Sequence, residues 1–217
     1  MTGTEILLIR HGETAWNVEG RIQGQLDVPL SSNGIWQAGR LAQRLASAQS
    51  PWQVAAIVAS DLVRTWSTAQ PLAARLGVAI QPEVRLRERS FGMFEGHTVA
   101  EVAQRWPLEF AAWRSRDPAY AIPGGESGQQ LIERALDALR DIALDYEGAT
   151  VAVVTHGGIL DAAYRAANHL AWDAPRDHPM LNASINQVQA HAAPFAITIV
   201  DWADVAHLDV AADEPVA

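Results

Sequence analysis

The 217-residue chain contains no cysteine and no lysine. The missing cysteine excludes disulfides, thiolate metal ligands and a cysteine nucleophile. All sixteen basic side chains are therefore arginines. Any fixed cation that recognises an anion must be a guanidinium group, whose planar fork of donors suits phosphate and carboxylate.

Long hydrophobic runs are also missing, and positive charge is scarce. No apolar segment approaches membrane-spanning length, and no basic segment followed by a signal-like apolar stretch opens the chain. The formal net charge of −9 disfavours nucleic acid and acidic membranes as partners. The composition is that of an ordinary globular protein. We therefore expect one cytoplasmic domain over residues 1–217, and a homo-oligomer is compatible with it.

An apolar run at residues 6–9 predicts a buried strand, and Arg10, His11 and Gly12 follow it directly. Ligands bind at the carboxyl ends of strands in open α/β sheets. An arginine and a histidine at one strand end are weak evidence taken alone, because most such pairs are surface residues. The interpretation becomes stronger only if other strands also end in anion-binding or catalytic side chains at the same edge of the sheet.

Two further buried strands, at residues 55–59 and 151–154, meet that condition. The residues that follow them are Ser60, Asp61 and Arg64 after the first strand, and His156 and Gly157 after the second. Parallel strands joined by right-handed crossovers place all three ends on one edge. Two arginines there can neutralise a phosphoryl dianion. One histidine can attack phosphorus while the other donates a hydrogen bond, and a carboxylic acid must protonate the departing oxygen.

The remaining pattern predicts a three-layer α/β fold, with a mostly parallel sheet and helices on both faces. Residues 16–30 are expected to be irregular, and 207–217 to form a loose tail. A helix after Asp61 carries Arg64 in its first turn and is expected to kink at Pro71. The other predicted elements are helices at 31–47, within 98–118, at 127–146 and at 157–169, a strand at 78–80, and a hairpin at 185–191 and 195–200.

The stretch from Leu8 to Asn17 (LIRHGETAWN) resembles the signature of the histidine phosphatase superfamily, the phosphoglycerate-mutase-like enzymes. The resemblance runs from residue 5 to about residue 200. Further matching segments follow in order: residues 22–25, 29–31, 60–64, 86–88, 91–96, 125–127 and 155–158. The first motif is fairly specific, and the ordered set is very specific.

The resemblance implies a role for each matching position. His11 is the nucleophile that becomes phosphorylated, and Glu88 protonates the leaving group and then activates water. Glu95 is the competing carboxylate, but its position is structural in the family. The expected phosphate ligands and pocket residues are Arg10, Arg64 and His156, with Asn17 as a further donor and Gln23, Gly24 and the Gly157 backbone along the wall.

The small helical insertion at about 96–126 is expected to cap the site and to select the substrate. Its aromatic stripe of Trp106, Phe110 and Trp113 indicates either core packing or the rim of a pocket. The sequence does not name the substrate.

The predicted function is a phosphomonoesterase for small phosphate esters that needs no metal and no cofactor. A metallohydrolase is disfavoured because guanidinium beside a divalent cation is repulsive, and an inactive phosphate-binding module because every expected catalytic position is filled. Phosphoglycerate mutase is the main alternative. The 68 residues from Glu88 to His156 leave little chain for a mutase lid, and there is no lysine for the substrate grip, although Arg114 and Arg116 could substitute.

Overall fold

A computed structural model describes residues 3–209 and contains six strands and seven helices over that range. The strands are β1 (Thr4–Arg10), β2 (Val54–Ala59), β3 (Ile80–Pro82), β4 (Thr150–Thr155), β5 (Ile185–Ala192) and β6 (Phe195–Asp204). The helices are α1 (Ala15–Glu19), α2 (Ser32–Leu45), α3 (Val63–Leu76), α4 (Val99–Arg105), α5 (Pro107–Arg114), α6 (Gly128–Asp145) and α7 (Gly157–Ala167).

The strands form one sheet in the order β3-β2-β4-β1-β5-β6. The first four strands in this order are mutually parallel, while β5 pairs antiparallel with β1 and β6 pairs antiparallel with β5. The predicted mostly parallel sheet with a C-terminal hairpin is confirmed. Since β1 and β4 are neighbours at its centre, both histidine motifs leave adjacent strands.

Alternate side chains of β1 build two separate cores. Leu7 and Ile9 pack with α2 and α3 on one face of the sheet. Ile6 and Leu8 pack with α6 and α7 on the other. A strand buried on both faces reads as a continuous apolar run, so β1 lacks the alternation of an exposed strand. The predicted three-layer architecture is confirmed.

Backbone hydrogen bonds continue past the strand ends and hold the motifs in register. The His11 amide donates to the Thr155 carbonyl at 2.9 Å, and the Ser60 amide donates to the Val154 carbonyl at 3.0 Å. The positions after β1, β2 and β4 are therefore fixed by the sheet itself.

The segment at 96–126 contains α4 and α5 and has its own small core around Phe94, Val102 and Ile122. Trp106, Phe110 and Trp113 pack against that core, which matches the first of the two interpretations of the aromatic stripe. Trp113 also lines the cavity described below.

Several local predictions differ from the structure. The segment expected to be irregular contains α1, whose N-cap Thr14 forms a capping box with Asn17 in place of the usual Glu or Gln. The strand expected at 78–80 lies at Ile80–Pro82, and α7 ends at Ala167. Helix α3 includes Pro71 and ends at Leu76, and the kink expected at Pro71 stays a prediction.

The prediction of a loose tail from residue 207 is wrong for residues 207–208, because Ala206–Leu208 form a 3₁₀ turn and His207 is buried. The rest of that prediction, residues 210–217, lies outside the described residues. Across 3–209, no helix is long and apolar enough to cross a membrane.

Candidate active site

His11 lies directly after β1 and is 3% exposed. Its Nδ1 is 2.7 Å from the carbonyl oxygen of Gly12. A carbonyl can only accept, so Nδ1 carries the proton and Nε2 keeps the lone pair. Burial, and after it the charges of Arg10 and Arg64, holds the pKa of His11 well below its usual value. The ring is neutral at pH 7, with one nitrogen available to attack.

His156 follows β4, is fully buried, and lies with its ring centroid 5.2 Å from that of His11. Its Nε2 is 2.9 Å from the Ser60 hydroxyl at the end of β2. Its buried Nδ1 has no hydrogen-bond partner among residues 3–209. Burial, and then the charge of Arg64, lowers the pKa of His156 well below its usual value. A buried polar atom without a partner is costly unless a ligand supplies one.

Arg64 is fully buried on the first turn of α3. Its Nη1 donates to the Leu26 carbonyl at 2.8 Å and its Nη2 donates to the Gly24 carbonyl at 2.7 Å. Burial lowers the pKa of Arg64 to about 10, so the group stays charged at pH 7. Its Nε is buried without a partner among the described residues.

Arg10 ends β1, and its Nη1 donates to the carbonyl of Met180. As in Arg64, its Nε is buried without a partner within residues 3–209. Burial is the main effect on the pKa of Arg10 and lowers it. Arg64 is thus fully buried and Arg10 partly buried, and both are bound mainly to neutral carbonyls.

Glu88 stands beside these groups at the N-terminus of α7. Its carboxylate accepts from the Arg89 amide at 2.7 Å and from the Gly158 amide at 3.2 Å. A Cβ at Gly158 would lie 2.2 Å from Glu88 Oε1, so only glycine admits this approach. A Cβ at Gly157 would lie 3.8 Å from Glu88 Oε2 and 3.9 Å from Arg10 Nε. The carboxylate and the arginine therefore face the same small space.

Arg134 on α6 fixes the loop that carries Glu88. It donates to the carbonyls of Arg85 (2.6 Å), Arg87 (2.7 Å) and Glu88 (3.0 Å). It also forms a bidentate ion pair with Glu126. These five hydrogen bonds from the Arg134 side chain fix the loop backbone, so that the Glu88 carboxylate faces the site.

Glu95 occupies a different environment. Its Oε1 accepts from the amides of Gln25 at 3.2 Å and Phe91 at 2.9 Å. A Cβ at Gly24 would lie 2.0 Å from this oxygen, and Gly24 has a positive φ of 52°. Glu95 therefore ties two loops together, as a structural carboxylate does.

The other predicted pocket residues lie around this centre. Asn17 uses Oδ1 to accept from the Thr14 amide at 3.0 Å, which leaves its Nδ2 as the donor for a ligand. Gln23 is 8% exposed, and its Oε1 has no partner within 3–209. Gly157 opens α7, where free amides and the helix dipole favour an anion.

Supporting residues were missed by sequence reasoning. Thr68 accepts from the Gly12 amide at 2.9 Å, and Asn182 donates to the His11 carbonyl at 3.0 Å. The sequence predicts Ser60 only as the end of a strand, whereas its hydroxyl lies 2.9 Å from His156 Nε2. Thr68 and Asn182 lie far along the chain from His11, so no local motif signals their contacts.

A cavity of about 370 Å³ opens outward from the Arg10, Glu88 and Gly157 cluster. Of the expected aromatic rim, Trp113 lines it, whereas Trp106 and Phe110 pack beneath. Phe91, Tyr120 and Trp172 complete its aromatic wall. In the part of the chain that the structure describes, no three His, Asp or Glu side chains are grouped as metal ligands would be.

Two arginines, two neutral histidines and a helix N-terminus, with a carboxylate beside them, form an arrangement that suits a phosphoryl group. Residues 6–204 match the histidine phosphatase superfamily (branch 1), and the chain belongs to that family. It is a hydrolase of phosphate monoesters with the phosphoglycerate-mutase-like fold. The resemblance noted in the sequence is thereby confirmed.

Known relatives include both phosphatases and named mutases. A metal-independent phosphoserine phosphatase of Arabidopsis thaliana is 40% identical over 94% of this chain and 83% of its own length. A probable phosphoglycerate mutase, GpmB, of Klebsiella pneumoniae is 34% identical over 96% of both chains. The solved structure of Bacillus stearothermophilus YhfR is 33% identical, with a TM-score of 0.85, over 95% of this chain and all of its own.

The two buried histidines predict a loss of stability in mild acid. Unfolded histidines titrate near pH 6.5, whereas folded His11 and His156 have pKa values well below that. Below pH 6.5 the unfolded chain takes up protons that the folded chain cannot. The free energy of unfolding should fall by up to about 1.4 kcal/mol per pH unit for each histidine.

Urea unfolding between pH 7 and pH 5 in phosphate-free buffer measures this slope. His11→Gln and His156→Gln should each make the slope shallower than in the unmodified protein. An unchanged slope in both variants would contradict the assignment of buried neutral rings.

Proposed function

We propose that this protein is a metal-independent phosphomonoesterase in which His11 forms a phosphohistidine. The observation that carries the proposal is the His11 ring, whose protonated Nδ1 is bound to the Gly12 carbonyl. Nε2 attacks phosphorus while the ester P–O bond breaks. The first half-reaction leaves the phosphoryl group on Nε2 and releases an alcohol.

The phosphoryl oxygens are bound by Arg10, Arg64 and His156. The unpartnered Nε atoms of both arginines and Nδ1 of His156 are the groups in need of a ligand. Each guanidinium attracts a unit negative charge at 4 Å by about 4 kcal/mol at an effective dielectric of 20. The Asn17 amide and the Gly157 backbone amide are further donors, and Gln23 and Gly24 form the wall. Charge stabilisation of this kind is the main requirement of phosphoryl transfer.

Glu88 acts first as acid and then as base. It gives a proton to the leaving oxygen as the ester bond breaks, and takes a proton from water as the phosphohistidine is hydrolysed. Its contact with the Gly158 amide at the N-terminus of α7 places the carboxyl group beside the space that Arg10 faces. Glu95 is held by backbone amides of two loops and does not compete.

Hydrolysis is favoured over phosphoglycerate mutation by the short insertion. A mutase must keep water from its phosphohistidine until a bound intermediate takes the phosphoryl group back. Helices α4 and α5 are only 7 and 8 residues long. The cavity, which α5 lines with Trp113 and Arg114, opens to solvent and has the 41% exposed Arg176 on its wall. The phosphoserine phosphatase among the relatives makes phosphoserine the first substrate to assay. The cytoplasmic location and a homo-oligomeric state stay predictions.

The nucleophile is tested by rapid quench with ³²P-labelled phosphoserine. The protein should show an acid-labile, base-stable adduct, formed equally in excess EDTA because the site uses no metal. His11→Ala should lose the adduct and at least about a thousandfold in kcat. Retention of more than a few per cent of activity by His11→Ala would show that another group attacks.

The acid is tested by Glu88→Gln with two leaving groups. Nitrophenolate leaves without protonation, so only the second half-reaction slows for nitrophenyl phosphate. In Glu88→Gln, turnover of an alkyl phosphate should therefore fall about a hundredfold more than turnover of nitrophenyl phosphate. Glu95→Gln is the matched control and should leave the ratio of the two substrates unchanged. A larger change of that ratio in Glu95→Gln would reverse the assignment.

A phosphatase and a mutase are distinguished by the products that they form from 3-phosphoglycerate. The protein is mixed with 3-phosphoglycerate, with and without 2,3-bisphosphoglycerate, while free phosphate and 2-phosphoglycerate are followed together. Free phosphate should appear with at most a trace of isomer. Isomer formation well ahead of phosphate release would establish the mutase instead.

A further inference from the structure

The two peptide groups that follow His11 are held by side chains from other parts of the chain. The Gly12 amide donates to Thr68 Oγ1 at 2.9 Å. The His11 carbonyl accepts from Asn182 Nδ2 at 3.0 Å, so the peptide group between His11 and Gly12 is fixed from both sides. The next peptide group, between Gly12 and Glu13, contains the carbonyl that lies 2.7 Å from His11 Nδ1. Its orientation determines which ring nitrogen is free to attack.

Gln37 holds this second peptide group. The Glu13 amide donates to Gln37 Oε1 at 2.8 Å. An N–H can only donate, so its partner must be the side-chain oxygen. In a trans peptide the N–H and the C=O point in opposite directions, and the contact to Gln37 therefore directs the Gly12 carbonyl towards the His11 ring. Gln37 lies on the second turn of α2 and is 9% exposed, so water has little access to it.

The start of α2 packs directly on the same loop. A Cβ at Gly34 would lie 2.0 Å from the Glu13 carbonyl oxygen, and a Cβ at Gly12 would lie 2.6 Å from the Gly34 carbonyl oxygen. Ser31, the N-cap of α2, donates from Oγ to Glu13 Oε1 at 2.8 Å, and its amide donates to the Glu13 carbonyl at 2.8 Å. This close approach of two backbones brings the Gln37 side chain within reach of the Glu13 amide.

The peptide group between Gly12 and Glu13 needs such a partner, because glycine leaves the backbone free to turn. A rotation of this peptide plane would take the Gly12 carbonyl away from His11 Nδ1. The hydrogen bond made by one ring nitrogen sets the tautomer of a neutral histidine, so the proton could then occupy Nε2 and remove the lone pair that attacks. The Gln37 contact opposes the rotation. It also polarises the peptide group and strengthens the carbonyl as an acceptor.

We propose that Gln37 is a positioning residue of the nucleophile, which acts through the Gly12–Glu13 peptide group and keeps the proton of His11 on Nδ1. This inference rests on the proposed phosphatase function, in which Nε2 of His11 attacks phosphorus. Gln37 contacts the loop through the Glu13 amide. Its loss should therefore slow the formation of the phosphohistidine and change substrate binding little.

Gln37→Leu removes the acceptor with little change in side-chain volume. Single-turnover measurements, with protein in excess over nitrophenyl phosphate, record the nitrophenolate that is released as the phosphohistidine forms. The maximal rate should fall about ten- to a hundredfold in the variant, because a misplaced nucleophile loses its attack geometry. The protein concentration that gives half of the maximal rate should change little. Gln37→Glu keeps an acceptor oxygen at this position and should recover most of the rate.

Gln43→Leu is the matched control. Gln43 is an exposed glutamine farther along α2, so its replacement should leave the single-turnover rate as in the unmodified protein. Gln37→Met follows the shape of glutamine more closely than Gln37→Leu and carries the same expectation. It takes the place of Gln37→Leu if that variant does not fold.

The tautomer of His11 is read from its ring nitrogens by NMR of protein labelled with ¹⁵N at histidine. Chemical shifts distinguish a protonated from an unprotonated ring nitrogen, and His11→Gln and His156→Gln identify the signals. At pH 7 in phosphate-free buffer, the unmodified protein should carry the His11 proton on Nδ1. Gln37→Leu should show a mixture of the two neutral tautomers at His11 and an unchanged His156, whereas a general loss of structure would change both rings.

The outcomes separate this inference from the proposed function. An unchanged rate and an unchanged His11 tautomer in Gln37→Leu would overturn the positioning role and leave the phosphatase standing. A slower rate with the tautomer unchanged would also overturn it, since Gln37 would then act on another part of the site. If the unmodified protein released no nitrophenolate and hydrolysed no other ester, the phosphatase itself would be overturned, whatever the tautomer of His11.

Discussion

The site depends on keeping one fully buried guanidinium group, Arg64, and one partly buried group, Arg10, charged with few anions around them. Arg64 is fully buried, and its protein contacts are carbonyl oxygens of the Gly24 and Leu26 loop. Burying an uncompensated charge is costly, and the sheet and helix α3 sustain that cost through two large apolar cores. In the proposed mechanism a phosphoryl dianion supplies the missing negative charge, and the Nε atoms of Arg10 and Arg64, which have no partner among residues 3–209, are the donors that would bind it.

The same charges determine the state of the histidines. A cationic imidazole cannot attack phosphorus, and the neighbouring arginines, added to burial, keep His11 neutral. The Gly12 carbonyl then selects the tautomer. Glu88 lies close enough to offset part of the arginine charge, since it raises the pKa of Arg10 against the effect of burial. In the proposed mechanism, phosphate binding, the neutral state of the nucleophile and the placement of the acid therefore depend on the same group of charged side chains.

Most of the fold and of the candidate site is predictable because each motif consists of residues that are close together in the sequence. The strand-end motifs at Arg10 and His156 follow apolar runs, and the sheet order brings them together as parallel topology requires. Helix α1 was missed because its capping box uses Asn17. Contacts made across the fold, such as Asn182 to the His11 carbonyl, carry no local signal. The ion pair of Asp161 with Arg176 is another such contact, since the two residues lie 15 positions apart and meet only when the chain folds back.

The two halves of the cavity are built differently. The inner end is fixed by sheet register and by backbone groups of the strand ends. The outer wall is held by side chains on α5 and on the segment after α7, with Asp161 as the buried anchor. Arg176 is 41% exposed on that wall, so a substitution there changes the charge of the cavity without removing core packing.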